Sequence, residues 1–417
     1  MAVSFWANLI DMYQPPNCDR STLEKIVKQS YLPILRVYEQ NPKTGFTLNL
    51  PGSTVELLIR TGFGEIIKKI ARMADQGQVD FTMTPKYQPL MPFLEDDEID
   101  RQIEAHNKIC KRYFGISYKP QGLYSPYLAY SPKVAKTGAR FAVKWVAVDE
   151  NAVKNKGQGG INNLFMDKSA GGILLMSCHR EAADLLGGSL WAPRVPRSAA
   201  EFLQMSSKSL SADRYFITCL EARNIGFDNP GRHGLLRSLI QDSKVRALSV
   251  SQLRRYIKRK DFARGMECAL YTPLNDSKKR KPFALWDNPQ NQIQQTLWQL
   301  FRIAAAEIRN AGTKGDPQYV RAREMYDSAS GAVNWAMASC APWWDRRYPQ
   351  QAADDLAVAV FVVLSSPPKI KDKAIELRVK LYEQIEAFEK SGEHKKLQKA
   401  FLKANNIQYD RFVKGQR

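Results

Sequence analysis

Short apolar runs with strand character recur along the first two-thirds of the chain, each separated from the next by helical periodicity. That alternation limits the fold more than any other feature. The runs are Val3–Ile10, Phe46–Leu50, Val79–Met83, Gly122–Tyr124, Phe141–Val148, Ile173–Ser177 and Tyr215–Leu220, with a further short run near Arg246–Val250. Strands that alternate with helices are the signature of parallel pairing through crossover helices. Several of the runs are nearly continuous in apolar residues, as strands covered on both faces must be. Seven or eight such units predict an α/β barrel, with its chemistry expected at the C-terminal ends of the strands.

Local signals set the helices between the runs. Ser21 and Glu24 have capping-box spacing and predict a helix over Leu23–Tyr38, kinked by Pro33. The turn Ala74–Gly77 predicts the end of another, with Gly77 in the left-handed cap conformation. Past Leu274 the pattern changes: NDSKKRKP reads as an exposed loop, and Ile293, Leu297, Leu300, Phe301 and Ala304 fall at helix-face spacing. The expected organisation is therefore a barrel over residues 1–274 and a helical region over 275–417.

Composition narrows the function classes. No apolar run approaches the roughly 20 residues of a membrane-spanning helix. The opening MAVSFWANLI has neither a basic leader nor a small-residue cleavage site, so a signal peptide is not expected and the cytoplasm is the default location. Six cysteines stand singly without a CxxC pair, and there are four histidines, so no metal site and no cofactor are expected. The net charge of +20 is the main anomaly. It is spread along the chain, since Lys369–Arg417 holds 13 basic and 7 acidic residues. Two local clusters, Arg254–Lys260 (RRYIKRK) and Lys278–Lys281 (KKRK), are candidate contacts for an anionic partner.

Six segments, taken in order, resemble glycoside hydrolase family 57, the retaining α-glucan hydrolases, branching enzymes and glucanotransferases. They are WANLIDMYQPP (Trp6–Pro16), the run from SYLPILRVYEQNP to FTMTPKYQPLMPFLEDDEIDRQI, PQGLYSPYLAYSP (Pro120–Pro132), KWVAVDE (Lys144–Glu150), YFITCLEARNIGFDNPG (Tyr215–Gly231) and NWAMASCAPWWDRR. The resemblance implies an incomplete (β/α)7 barrel with a C-terminal helical region. It also implies that Asp11 and Gln88 stand where histidines are usual, Tyr127 at the nucleophile glutamate, Glu221 at the general-acid aspartate, Arg223 at the following glutamate, and Phe227 and Asp228 at two histidines.

A retaining glycosidase needs an anionic carboxylate and a carboxylic acid about 5–5.5 Å apart. Tyrosine, with a free pKa near about 10, is no substitute for the anion unless a neighbouring base takes its proton. No Asp or Glu lies between Glu104 and Asp149, so a slipped register cannot restore the nucleophile. Glu221 is the candidate acid remnant. Asp11, Tyr13, Gln14, Gln88, Tyr124, Asp149, Glu150, Arg223, Asp228, Trp343 and Trp344 are candidate ligand contacts, their acids and amides for sugar hydroxyls and their rings for sugar faces. Three functions follow as expectations: a glycan- or anionic-partner-binding protein that has lost double displacement, an active carbohydrate enzyme with rebuilt acid/base residues, or a basic nucleic-acid or polyanion binder on the same barrel.

Overall fold

The computed structural model describes residues 4–153, 164–188, 191–192, 194–206, 215–257, 260–263, 265–270 and 281–407. They fall into two compact units. One holds the described residues up to Lys86 and from Leu90 to Leu270, and the other holds Tyr87–Pro89 and the described residues from Lys281 onward.

The first unit is built on ten strands: β1 (Ser4–Asp11), β2 (Phe46–Asn49), β3 (Val79–Met83), β4 (Gly122–Tyr124), β5 (Trp145–Asp149), β6 (Leu164–Asp167), β7 (Ile173–Cys178), β8 (Tyr215–Glu221), β9 (Val245–Leu248) and β10 (Lys260–Ala263). Their order is β10-β6-β7-β5-β4-β3-β2-β1-β8, with β9 also on β1. One edge of β1 pairs with β8 from Phe5 to Asp11. The other is shared, with β9 on Ser4–Ala7 and β2 on Leu9–Asp11. All pairs are parallel except β6 with β7. β6 and β10, four residues each, lie outside the predicted runs, because LFMD and KDFA carry no period-two signal long enough to distinguish them from loop.

Seven parallel strands, β7-β5-β4-β3-β2-β1-β8, form an incomplete ring whose ladder is not closed between β7 and β8. His179 spans that seam. Its backbone N–H donates to Ile217 O at 2.8 Å, and its Nδ1 accepts from the Ile217 N–H at 3.1 Å. The imidazole thus supplies the acceptor that a neighbouring strand would otherwise provide. Inside the ring, Ala7, Leu9, Trp145, Ala147, Leu174, Met176 and Ile217 pack with Val250 and Leu253 of the helix Val250–Tyr256. A second core, between strands and outer helices, collects the alternate residues, such as Ile10, Leu48, Phe81 and Phe216. This inside/outside alternation is what a filled barrel requires.

The first crossover departs from expectation. Asp19, not Ser21, caps the helix, its Oδ1 accepting from the Thr22 N–H at 2.8 Å. The helix is interrupted rather than merely kinked: Arg20–Ile26 is followed by a π-turn, Val27–Tyr31, and then by Leu32–Glu39. Pro33 cannot donate a backbone hydrogen bond, and the widened turn just before it absorbs the missing contact. The same turn seats the loop after β8. Ser30 Oγ donates to Ala222 O, and Gly226, at φ +113°, presses so closely on Gln29 that a Cβ would come within 1.9 Å of the Gln29 carbonyl oxygen. The helix Gly64–Asp75 does end as expected, with Gly77 left-handed at φ +75°.

In the second unit, Ile293, Leu297, Leu300, Phe301 and Ala304 are buried on the helix Gln292–Lys314. Trp335 stacks on Trp298 with ring centroids 4.2 Å apart. Among the described residues no helix is long and apolar enough to cross a membrane.

The seam generates a prediction. His179→Ala leaves the buried Ile217 N–H without its acceptor and is expected to cost about 1–3 kcal/mol in urea unfolding. His179→Asn, which can present a carbonyl oxygen at a similar place, should recover part of that loss. Equal stability of His179→Ala and wild type would show that the seam does not depend on this bond.

Candidate functional site

The inward residues at the C-terminal ends of the strands form one polar layer. Asp11 ends β1 and faces Asn49 on β2 and Glu221 on β8 in strict register. Asn49 Nδ2 donates to Asp11 Oδ1 at 2.8 Å, the Tyr13 backbone N–H donates to the same oxygen at 3.1 Å, and Tyr124 OH donates to Asp11 Oδ2 at 3.2 Å. Thr82 Oγ1 in turn donates to Asn49 Oδ1 at 2.8 Å, which fixes the amide with its NH2 toward Asp11. A relay therefore runs from β3 through β2 and β1 to β4.

Burial is the main cause that pushes the Asp11 carboxyl up to about 7. The charge of Glu221 adds to it, and the hydrogen bonds from Asn49, Tyr124 and Tyr13 pull the other way. Glu221 is reached by solvent, yet protein surrounds its carboxyl closely enough to raise it above the usual range, against the lowering influence of Arg223 and with a further push from Asp228. Arg223 is committed elsewhere. It makes a two-pronged pair with Asp228, Nε–Oδ2 2.9 Å and Nη2–Oδ1 3.0 Å, and lies over the Phe227 ring. Among the described residues no cation forms an ion pair with Glu221.

The acids on the other side of the ring are neutralised. Asp149, fully buried at the end of β5, takes both Nη2 (2.8 Å) and Nε (3.2 Å) of Arg180 on Oδ2, while its Oδ1 accepts from the Asn151 N–H. Glu150 Oε1 accepts from the Arg180 backbone N–H at 3.2 Å. Tyr127 is half-buried and left-handed at φ 58°, ψ 23°, and Leu128 follows at φ 52°. Such backbone costs a bulky L-residue roughly 1–2 kcal/mol. A strap holds it there: the segment 265–270 runs along the loops after β4 and β5. The Leu270 N–H donates to Tyr127 O, Cys268 and Tyr130 exchange backbone bonds, and the Met266 N–H donates to Ala152 O. Gly265 lies so close to the Tyr130 ring that a Cβ would come within 2.4 Å of it, and Tyr130 OH donates to the buried Asp167.

Of the remaining predicted contacts, Gln14 is buried against Tyr31, its Nε2 donating to the phenol oxygen at 3.2 Å, and Tyr13 is half-buried at the rim. Gln88, Trp343 and Trp344 belong to the second unit. Gln88 is buried with its carbonyl accepting from the Ala332 N–H. Trp343 is half-buried, and Trp344 donates from Nε1 to Glu389 and packs edge-on against Phe388. In the basic clusters, Arg254 and Arg255 occupy the last turn of the helix Val250–Tyr256, whereas Lys278–Arg280 lie outside the described residues.

Sequence reading missed Asn49, Thr82, Arg180 and the strap. Asn49 and Thr82 carried a usable signal, each being a polar residue inside an apolar strand on the same parity as the inward side chains. The strap carried none, because its contacts join segments more than 100 residues apart.

Burial makes the contribution of the Asp11 carboxyl to stability depend on pH. Its folded value, about 7, exceeds the unfolded value of 3.8, so its stabilising contribution is present below about pH 4 and is lost as pH rises through about 7. Asp11→Asn removes that loss. The variant should be more stable than wild type at pH 8 by on the order of 2–4 kcal/mol, with the gap shrinking toward pH 4 in urea unfolding. A gap independent of pH would contradict the assignment.

Comparison with known proteins places this layer in context. The sequence model of glycosyl hydrolase family 57 matches residues 7–187. Alpha-amylase 1 of Dictyoglomus thermophilum is 25% identical over 141 residues, which is 34% of this chain and 20% of that protein. The chain thus spans a fifth of the curated relative it matches. Among solved structures, the family 57-type branching enzyme of Pyrococcus horikoshii superposes with a TM-score of 0.68 at 12% identity, covering 97% of both chains. The 4-alpha-glucanotransferase of Thermococcus litoralis gives 0.64 at 12% identity over 86% of this chain and 58% of that one. The structural likeness carries the fold, and the matched segment, running from the inward face of β1 to the helix after β7, is similar in sequence to glycosyl hydrolase family 57.

Proposed function

We propose that this protein binds a neutral α-glucan-type oligosaccharide at the C-terminal rim of its barrel and does not cleave it by double displacement. One observation carries the reading. The carboxyl of Glu221 stands open at the rim with no ion pair among the described residues, while the position expected to supply the nucleophile holds Tyr127, whose main chain is tied to a strap. The surrounding chemistry supports it. Asp149 is held by Arg180, Asp228 by Arg223, and no acid lies between Glu104 and Asp149 to substitute for the missing one. Open carboxyls accept sugar hydroxyls well, and the half-buried rings of Tyr13 and Tyr127 lie on the same rim.

A second reading has its own support. Glu221 has a raised carboxyl beside Asp11, and a raised carboxyl is what a general acid needs. Its neighbour Asp11, however, is raised as well and held by Asn49, Tyr124 and the Tyr13 N–H, so it is a poor anionic nucleophile. An anionic partner bound through Arg254–Lys260 and Lys278–Lys281 rests on charge alone; it requires binding that weakens steeply with salt.

Calorimetric titration with maltoheptaose, followed by a reducing-sugar assay of the same mixture, separates these readings. Saturable binding is expected, weakened about tenfold or more by Glu221→Gln, which is a loss of about 1.4 kcal/mol. No reducing sugar should appear. Reducing sugar released by wild type and abolished by Glu221→Gln would establish the second reading instead.

A further inference from the structure

The Asp11–Glu221 pair is not part of the pattern the family resemblance implies, in which position 11 carries a histidine, and among the described residues neither carboxyl forms an ion pair. Their Cα atoms are direct partners in the β1–β8 register. Adjacent strands lie about 4.8 Å apart, and both side chains share the parity of Ala7, Leu9, Ile217 and Cys219, which line the barrel interior. Two carboxylates so placed repel each other and do not ionise independently. The relay from Thr82 through Asn49 fixes one partner, since Asn49 presents its NH2 group to Asp11 Oδ1 and Tyr124 presents its hydroxyl to Oδ2.

Among the described residues, no group that faces the pair forms an ion pair with it. Tyr124 comes from β4, Tyr31 from the π-turn after β1, and Cys219 lies beside Glu221 on β8; each is neutral. Arg223 and Asp228, from the loop after β8, are paired with each other; the Arg223 charge lowers the Glu221 carboxyl and that of Asp228 raises it, but neither bonds to it among the described residues. Burial leaves a proton as the least costly counter-ion.

We propose that Asp11 and Glu221 hold one proton between them, and that this pair rather than the basic surface sets ligand choice. It admits a neutral sugar hydroxyl, which donates to the ionised oxygen and accepts from the protonated one, and it rejects uronate and phosphate groups. Asp11 acts here as a positioning residue, setting the protonation of Glu221, which meets the ligand. The proposal rests on the glucan-binding reading for its ligand, but the proton sharing stands without it.

The test has two arms. In ligand-free protein labelled with ¹³C at the Asp and Glu carboxyls, NMR titration of wild type should show Asp11 and Glu221 moving together in two steps. In Asp11→Asn, Glu221 should titrate in a single step at least about one pH unit lower. Wild-type binding of maltoheptaose should then fall about tenfold or more as the shared proton leaves, and C6-oxidised maltoheptaose, which carries glucuronate, should bind at least about tenfold more weakly than the neutral sugar at every pH. Independent single-step titrations in wild type, or a Glu221 titration unmoved by Asp11→Asn, would overturn the shared proton. Equal or tighter binding of the oxidised sugar would overturn the selectivity. Absence of binding by either sugar would sink the glucan reading and the ligand choice, while the ligand-free titration still decides the proton. The wild-type arm needs no variant to fold.

Discussion

Everything at the rim depends on a ring that is one ladder short. Seven parallel strands leave β7 and β8 as facing edges, and two unpaired edges inside a barrel would cost several buried backbone groups their partners. His179 supplies what one more strand would have supplied, donating and accepting across the gap to the same residue, Ile217. With the seam joined there, β8 keeps full register along β1, and that register brings Glu221 beside Asp11. The site's geometry is therefore a consequence of strand pairing and needs no loop to assemble it.

Charge then divides the rim in two. On the β4–β5–β7 side the two acids at the end of β5 have partners: Asp149 has Arg180, and Glu150 has the Arg180 amide. The strap adds main-chain bonds to the loops after β4 and β5, and the left-handed backbone of Tyr127 and Leu128 persists because Leu270, Cys268 and the Gly265–Tyr130 contact over-determine it. On the β1–β8 side Arg223 and Asp228 pair with each other, and Asp11 is held by uncharged donors alone. A buried carboxyl balanced by amides and phenols rather than by a cation retains its proton, and that places the chemical interest of the rim at Asp11 and its open neighbour Glu221.

Much of this was legible in the sequence, for identifiable reasons. The seven main strands were readable because parallel strands buried on both faces leave continuous apolar runs, and Glu221 and Asp11 were readable because both end such runs. β6 and β10 were not, since four residues hold too little pattern, and the cap at Asp19 was obscured by Ser21, which offers the same chemistry two residues later. The partners of the rim acids were also hidden. Arg180 for Asp149 and Asp228 for Arg223 are choices made by three-dimensional proximity, and Arg223 has Glu221 two residues away in sequence yet pairs with Asp228, five residues on. Gln88 was a candidate ligand contact because the resemblance puts a histidine at its position; the main-chain bond that joins it to Ala332 in the helical unit could not be read from that motif.

The central claim is binding without double displacement, and one experiment reads both halves of it: saturation-transfer NMR on ¹³C-labelled maltoheptaose held with the protein for many hours. The account predicts transfer from protein to the sugar protons, reduced in Glu221→Gln, with the glycosidic carbon signals unchanged from first spectrum to last. New reducing-end signals that grow with time in wild type alone, or no transfer at all at saturating sugar, would contradict it.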